Sequence, residues 1–233
     1  MAETPSENQP DPLRVPWTDV VGFVRQISHD LRNYLNAADL TAAYINEIAD
    51  NAEVKTETKR LRESIAAAAA ALQKISATLG KPRITLLFYR ATELMDDLRK
   101  KIETEFRDQG TEVVWDIEPT DAGLEIDPQL LQQVFVELFG NALRHNRGNG
   151  PLLASGKIDN QRFVFTLREP KTRFDLPTEN WGGNPLHSVG PGHYGLGLHR
   201  ARAIIEAHRG DFHARYEPGE SVLVTTITLP LSA

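Results

Sequence analysis

The sequence predicts an α+β chain in two parts: a helical hairpin that pairs into a dimeric four-helix bundle, and a mixed α/β domain behind it. Two observations carry the prediction. Two long N-terminal runs place apolar or small residues at alternating steps of four and three, the seam pattern of a bundle or coiled coil. Beyond Pro82 the periodicity changes to short strand-like alternations between amphipathic helical stretches. The chain therefore divides into a leader (residues 1–16), a dimerising hairpin (17–81) and a mixed domain (82–233).

In the leader, Pro5, Pro10, Pro12 and Pro16 stand among small polar residues, a composition that cannot assemble a packed core and is expected to be disordered. From Trp17 the first helix carries its seam on Val20, Val24, Ile27, Leu31, Tyr34, Ala38, Thr41, Ile45 and Ile48. After a polar turn, Asp50 to Lys55, the second helix shows Leu61, Ile65, Ala68, Leu72, Ile75 and Leu79 and is stopped by Gly80 and Pro82. One hairpin leaves its apolar seam in water, and the run Ala66 to Ala71 lets another helix come close. Pairing of two hairpins into a homodimer through residues 17–81 follows. Heptad spacing fits equally a hairpin that packs on the rest of its own chain.

In the mixed domain a helix is expected over Thr92 to Gln109, then an alternating strand over Glu112 to Ile117 and a turn. Pro128 to His145 reads as a helix with Asp127 as its N-cap and Pro128 at its first position. Leu152 to Ile158 and Arg162 to Arg168 read as strands. A long irregular stretch rich in glycine and proline, Glu169 to Tyr194, leads to a helix from Leu196 to about His208; loops of that length are usually functional or mobile. The closing strands, Asp211 to Tyr216 and Val222 to Leu229, form a hairpin around Glu217-Pro218-Gly219-Glu220.

Lys and Arg number 26 against 32 Asp and Glu, a formal net charge of −6, with 25% charged and 40% hydrophobic residues. That balance is typical of soluble globular proteins and argues against a nucleic-acid partner. Cysteine is absent, which closes disulfides, thiolate metal sites and Cys nucleophiles. No apolar run approaches the roughly 18 residues a membrane helix needs, and the acidic, Pro-rich start is unlike a secretory signal. A cytoplasmic protein with no membrane partner is expected. His145, His187, His193, His199, His208 and His213 show no HExxH pattern, so zinc is not expected.

Three stretches hold chemistry-bearing residues. In Ser28-His29-Asp30-Leu31-Arg32-Asn33, His29 lies two residues from both Ile27 and Leu31, so its imidazole points away from a seam built on them. Asp30 can accept a hydrogen bond from one ring nitrogen, fixing the tautomer and leaving the other nitrogen as a nucleophile. Asn33, one turn above, can position a water or an acceptor. A plain solvated histidine has the same spacing. Glu137, Asn141 and Arg144 at i, i+4 and i+7 share one helix face beside apolar Leu131, Leu138 and Ala142. Such oxygen donors suit Mg²⁺, which is held by one or two protein groups plus phosphate oxygens, and Arg144 can meet a phosphate. A polar stripe on an amphipathic helix looks alike. Gly192, Gly195 and Gly197 precede or open a helix, where backbone can approach a ligand and N-terminal amides can hold phosphate. A simple turn leading into the helix is equally compatible.

Taken in this order, the stretches resemble the catalytic core of bacterial two-component sensor histidine kinases over about Trp17 to Leu231. FVRQISHDLRNYLN is similar to the family's phosphoacceptor box, QQVFVELFGNALRHN to its Asn box, and GHYGLGLHRARAIIEAHRGDF with VLVTTITLPL to its second glycine box and closing strands. The resemblance implies a dimerisation and phosphotransfer hairpin followed by an α/β sandwich of the histidine-kinase ATPase type. It implies His29 as the phosphorylation site, Asp30 as the neighbouring acidic base, and Asn33 as the residue that supports removal of phosphate from the partner response regulator. It also implies ATP and Mg²⁺ as cofactors. Asn141 would stand at the metal with Glu137 beside it, Arg144 on phosphate, Gly192, Gly195 and Gly197 closing the pocket, and an ATP lid within Glu169 to Tyr194.

The first glycine box departs from the family pattern. In place of Asp-x-Gly-x-Gly the chain has Glu169-Pro170-Lys171-Thr172-Arg173. Glu169 stands at the adenine-reading position, one methylene longer than Asp and still able to accept from the adenine amine, but Pro170 and the missing glycines remove backbone freedom. Tyr34 stands where the phosphoacceptor helix carries Pro, so no kink is expected. Three functions stay open. The first is a kinase that autophosphorylates His29 from ATP and passes the phosphate to an Asp of a response regulator receiver domain. The second is a phosphotransferase or regulator phosphatase whose ATPase-like domain no longer binds ATP, and the third a non-enzymatic dimeric docking scaffold.

Overall fold

The computed structural model describes residues 16–107, 112–118, 120–145, 147–183, 185 and 195–232, and the chain divides into two compact units between Gly80 and Lys81. The leader other than Pro16, and Gln109 at the expected end of a helix, lie outside the described residues.

The N-terminal unit is a hairpin of α1 (Trp17–Ile48) and α2 (Ala52–Leu79). Without a proline at Tyr34, α1 runs uninterrupted. The turn is shorter than the polar stretch suggests. The Asn51 side chain accepts from the Glu53 amide at 2.7 Å and caps α2, so Ala52 to Lys55 are already helical. The contact with α2 uses a stripe of α1 beside the apolar seam. The hairpin buries or half-buries Val21, Val24, Ser28, Leu35, Asp39 and Ala42 of α1, whereas Ile27, Leu31, Tyr34, Ala38, Thr41, Ile45 and Ile48 of the expected seam are exposed. The reason is size and charge: Ser28 and Ala42 are small enough for close approach, and Arg62 of α2 grips Asp39 through Nε at 2.8 Å and Nη2 at 3.3 Å. From α2, Thr58 and Ile65 are buried, while Leu61 and Ala68 of the expected seam stay exposed.

The C-terminal unit comprises β1 (Leu87–Arg90), α3 (Ala91–Glu105), β2 (Val113–Ile117), β3 (Gly123–Ile126), α4 (Pro128–Arg144), β4 (Leu152–Asp159), β5 (Arg162–Pro170), α5 (Gly197–Ala207), β6 (Asp211–Glu217) and β7 (Val222–Pro230). Five strands form one sheet in the order β2-β4-β5-β7-β6, parallel only between β2 and β4, and β1 pairs with β3 in a separate ribbon. The short ribbon strands are elements the sequence reading leaves as coil and turn. Tight reversals are visible where Asn160 and Gln161 both take positive φ, the two-residue turn that suits strand twist.

Alternation on β5 sends Phe163, Phe165 and Leu167 into one face, where they meet Leu94, Met95 and Leu98 of α3, Phe135, Leu138 and Phe139 of α4, and Ile204 and Ile205 of α5. The Phe135 and Phe165 rings pack edge to face at 4.8 Å. The result is a two-layer α/β sandwich. As expected, Asp127 caps α4, its side chain accepting from the Leu130 amide at 3.1 Å with Pro128 opening the helix. Buried His208 holds the far end of α5 to this cap: its Nε2 accepts from the Asp127 amide at 2.9 Å while Nδ1 donates to Ile204 O at 2.7 Å. One boundary matters for function. Glu169 and Pro170, expected at the start of the irregular stretch, instead extend β5, where Glu169 pairs with Leu223.

Candidate functional site

On α1, one helical turn collects Gln26, His29, Asp30 and Asn33. The imidazole is 66% exposed. Its Nδ1 lies 3.2 Å from Asp30 Oδ1, which also accepts from Gln26 Nε2 at 2.9 Å, and Asn33 Nδ2 lies 3.5 Å from the same ring nitrogen. An ionised carboxylate only accepts, so the tautomer that satisfies Asp30 is the one protonated on Nδ1, which leaves Nε2 with its lone pair. The His29 hydrogen bond, then that of Gln26, holds the Asp30 carboxyl below the usual carboxylate range. Sequence spacing put Asp30 beside His29 and Asn33 one turn above it, and the structure brings the three together and adds Gln26. Asn36 next to them is exposed, while Arg32 turns half-buried.

The second cluster lies along α4 in the C-terminal unit. Asn141 Nδ2 donates to Glu137 Oε1 at 3.1 Å, and Arg144 Nη2 donates to Asn141 Oδ1 at 3.3 Å. The Glu137 carboxylate lies against Gly197, where any Cβ would overlap it. Gly195 takes a left-handed φ of 60°, open to glycine, and turns the chain into α5, whose N-cap Leu196 supplies no side-chain acceptor. Two oxygen donors, a guanidinium and an uncapped helix start therefore converge, a set that fits Mg²⁺ and phosphate. Gly192 lies outside the described residues, as does the second half of the expected lid. In its described part Trp181 and Gly182 lie on α5: Arg202 Nη1 donates to Trp181 O at 2.9 Å, and His199 Nδ1 lies 3.2 Å from Gly182 O.

The C-cap of α4 leads to the third group. Lys171 Nζ donates to His145 O at 2.7 Å and pairs with Glu169 Oε2 at 2.7 Å, the two side chains being only 4% and 7% exposed. Burial pushes the Glu169 carboxyl up, and the Lys171 charge partly opposes that shift. Glu169 thus stands at the C-terminal end of β5 as a carboxylate already partnered from its own chain. Lys171 is the residue that motif matching overlooked, recorded only as a missing glycine. The available signal was the i, i+2 spacing of acid and cation, which on a strand puts both on one face.

Residues 126–233 match the family model for the histidine kinase-, DNA gyrase B- and HSP90-like ATPase. An uncharacterized sensor-like histidine kinase of Rhizobium meliloti is 21% identical over 230 residues, covering 91% of this chain and 43% of the relative, so the chain spans less than half of that protein's length. Among solved structures, full-length ShkA in complex with AMPPNP superposes with a TM-score of 0.66 at 18% identity, over 91% of this chain and 46% of ShkA. The Acinetobacter baumannii histidine kinase AdeS gives 0.53 at 18% identity over 88% of this chain and 98% of that one. The catalytic domain of the histidine kinase ThkA gives 0.53 at 20% identity over 63% of this chain and 95% of that domain. Residues 126–233 are thus similar to the histidine kinase-, DNA gyrase B- and HSP90-like ATPase domain, and the chain has the fold of histidine kinase catalytic-core structures.

Proposed function

We propose that the chain is a two-component phosphotransfer protein of the histidine kinase type, with His29 as phosphoacceptor and an aspartate of a response regulator receiver domain as its exchange partner. The observation that carries this reading is the exposed imidazole whose Nδ1 is bound to Asp30, which leaves Nε2 as the nucleophile. In the exchange, the Nε2 lone pair attacks phosphorus and the bond from phosphorus to the aspartyl oxygen breaks, its electron pair returning to the carboxylate. The reverse step restores the imidazole. Asp30 stabilises the positive charge the ring acquires. Asn33 stands where an amide can orient the incoming carboxylate or a hydrolytic water.

ATP as the original donor is supported by the phosphate-facing half of the C-terminal site. Glu137 and Asn141 would hold Mg²⁺, which would neutralise phosphate charge, and Arg144 with the start of α5 would bind phosphate oxygens. A second reading, in which His29 is charged only by a phosphorylated regulator, is favoured by the Glu169–Lys171 pair at the base-reading position. In both readings the hairpin is the homodimer interface. The test is labelling of the intact protein by three donors separately: ATP with Mg²⁺, receiver domains charged with acetyl phosphate, and phosphoramidate. Phosphohistidine at His29, absent in His29→Ala, is expected from at least one protein or nucleotide donor. No acid-labile phosphate from any of the three would exclude the proposal.

A further inference from the structure

We propose that Lys171 is a built-in occupant of the base end of the nucleotide pocket, and that its ammonium, by taking the Glu169 carboxylate, discriminates against adenine nucleotides. The inference rests on the C-terminal unit being an ATPase-type domain and is independent of the reading of His29. Glu169 lies on the same buried face of β5 as Phe163, Phe165 and Leu167, at the C-terminal end of the strand, so its carboxylate is walled off from bulk water. A buried carboxylate needs a donor. In a pocket that reads adenine, that donor is the exocyclic amine of the base. Here Lys171 Nζ supplies it at 2.7 Å, and the same ammonium is fixed by His145 O at 2.7 Å, the C-cap carbonyl of α4. Two of its three protons are thereby committed inside the protein. A base entering this end would have to separate a hydrogen-bonded ion pair and offer a neutral amine in exchange for a full positive charge.

The backbone around the pair is held without the ammonium. The Lys171 amide donates to Ser221 O and the Gly148 amide to Pro170 O, each at 2.8 Å, and Gly148 has no Cβ to keep the two segments apart. The side chain can therefore be shortened while the strand end stays fixed. The phosphate half of the site shares none of these bonds, so the domain keeps a means to bind polyphosphate while its means to read a base is taken.

The experiment titrates the full-length protein with ADP and with inorganic pyrophosphate, both with Mg²⁺, by calorimetry. Wild type is expected to bind ADP no better than pyrophosphate, the base adding nothing. Lys171→Gly, and Lys171→Ala should the glycine variant melt early, is expected to bind ADP at least about tenfold more tightly than wild type, with pyrophosphate affinity changed far less. The gain is expected to vanish when Glu169→Gln is added. ADP binding by wild type about tenfold or more tighter than pyrophosphate overturns the proposal without any variant. So does a folded Lys171 variant that gains no affinity for ADP. Phosphoramidate labelling of His29, followed separately, reads the phosphotransfer proposal alone, so failure of one is distinct from failure of the other.

Discussion

At Gly197 the Glu137 carboxylate, which accepts from the Asn141 amide, occupies the space a Cβ would need. Gly197→Ala is therefore expected to push Glu137 off Asn141 and to abolish Mg²⁺-dependent pyrophosphate binding, with stability changed by about 1 kcal/mol or less because the displaced atoms are the free end of a flexible side chain. A thermal melt and a titration on the same sample check both effects. In the N-terminal unit Asp30 lies against the His29 ring. Asp30→Asn keeps the shape but removes the charge, and labelling of His29 is expected to slow by about 100-fold. Because His29 and Gln26 hold the Asp30 carboxyl below the usual range, its contribution is present above the ordinary carboxylate pKa and is lost only as pH falls through the depressed value. An NMR titration of the Asp30 carboxyl checks that sign. His29, Asp30, Asn33, Glu137 and Asn141 were legible because helix spacing alone places them together. The Lys171 contact was not, since it depends on a β5 two residues longer than alternation showed and on an α4 carbonyl that no motif records.

Among the elements, the helices and the long strands were readable because each carries several periods of its pattern and, for α4, a cap. The ribbon strands β1 and β3 span four residues each, too few for alternation to register. They are defined by pairing instead, with Leu87 opposite Ile126 and Arg90 opposite Gly123, where the Phe88 ring fills the space a side chain at Gly123 would take. The α1 seam is a different case. Helix spacing gives an apolar stripe without saying which neighbour covers it, and the contact with α2 is made by the adjacent stripe carrying Ser28 and Ala42, which admits α2 closely. In the sandwich the apolar stripes have one possible destination, the sheet. Phe135 is fully buried there against Phe165, so Phe135→Ala is expected to destabilise the C-terminal unit by about 3–5 kcal/mol in denaturant unfolding. A loss below about 1 kcal/mol would mean that the helix layer repacks around the gap.

For the whole molecule, the exposed α1 seam bears on assembly. The hairpin closes on its small-residue stripe and leaves Ile27, Leu31, Tyr34, Ile45 and Ile48 in water, Tyr34 to 73%. A continuous apolar stripe along a helix is costly to hydrate, and burying such a stripe against a second copy yields roughly 25 cal/mol per Å² of apolar surface removed. A two-fold pairing buries the stripe of each protomer at once, because the same residues meet across the axis. Two hairpins so joined make four helices around a core that one chain cannot complete. The intact protein is therefore expected to sediment as a dimer, and Leu31→Glu with Ile45→Glu to give a monomer that keeps its helical circular dichroism, since neither residue belongs to the contact between α1 and α2. A monomeric wild type at concentrations well above micromolar would refute the assignment of this stripe. Loss of helicity together with loss of the dimer would show instead that the hairpin needs its partner in order to fold.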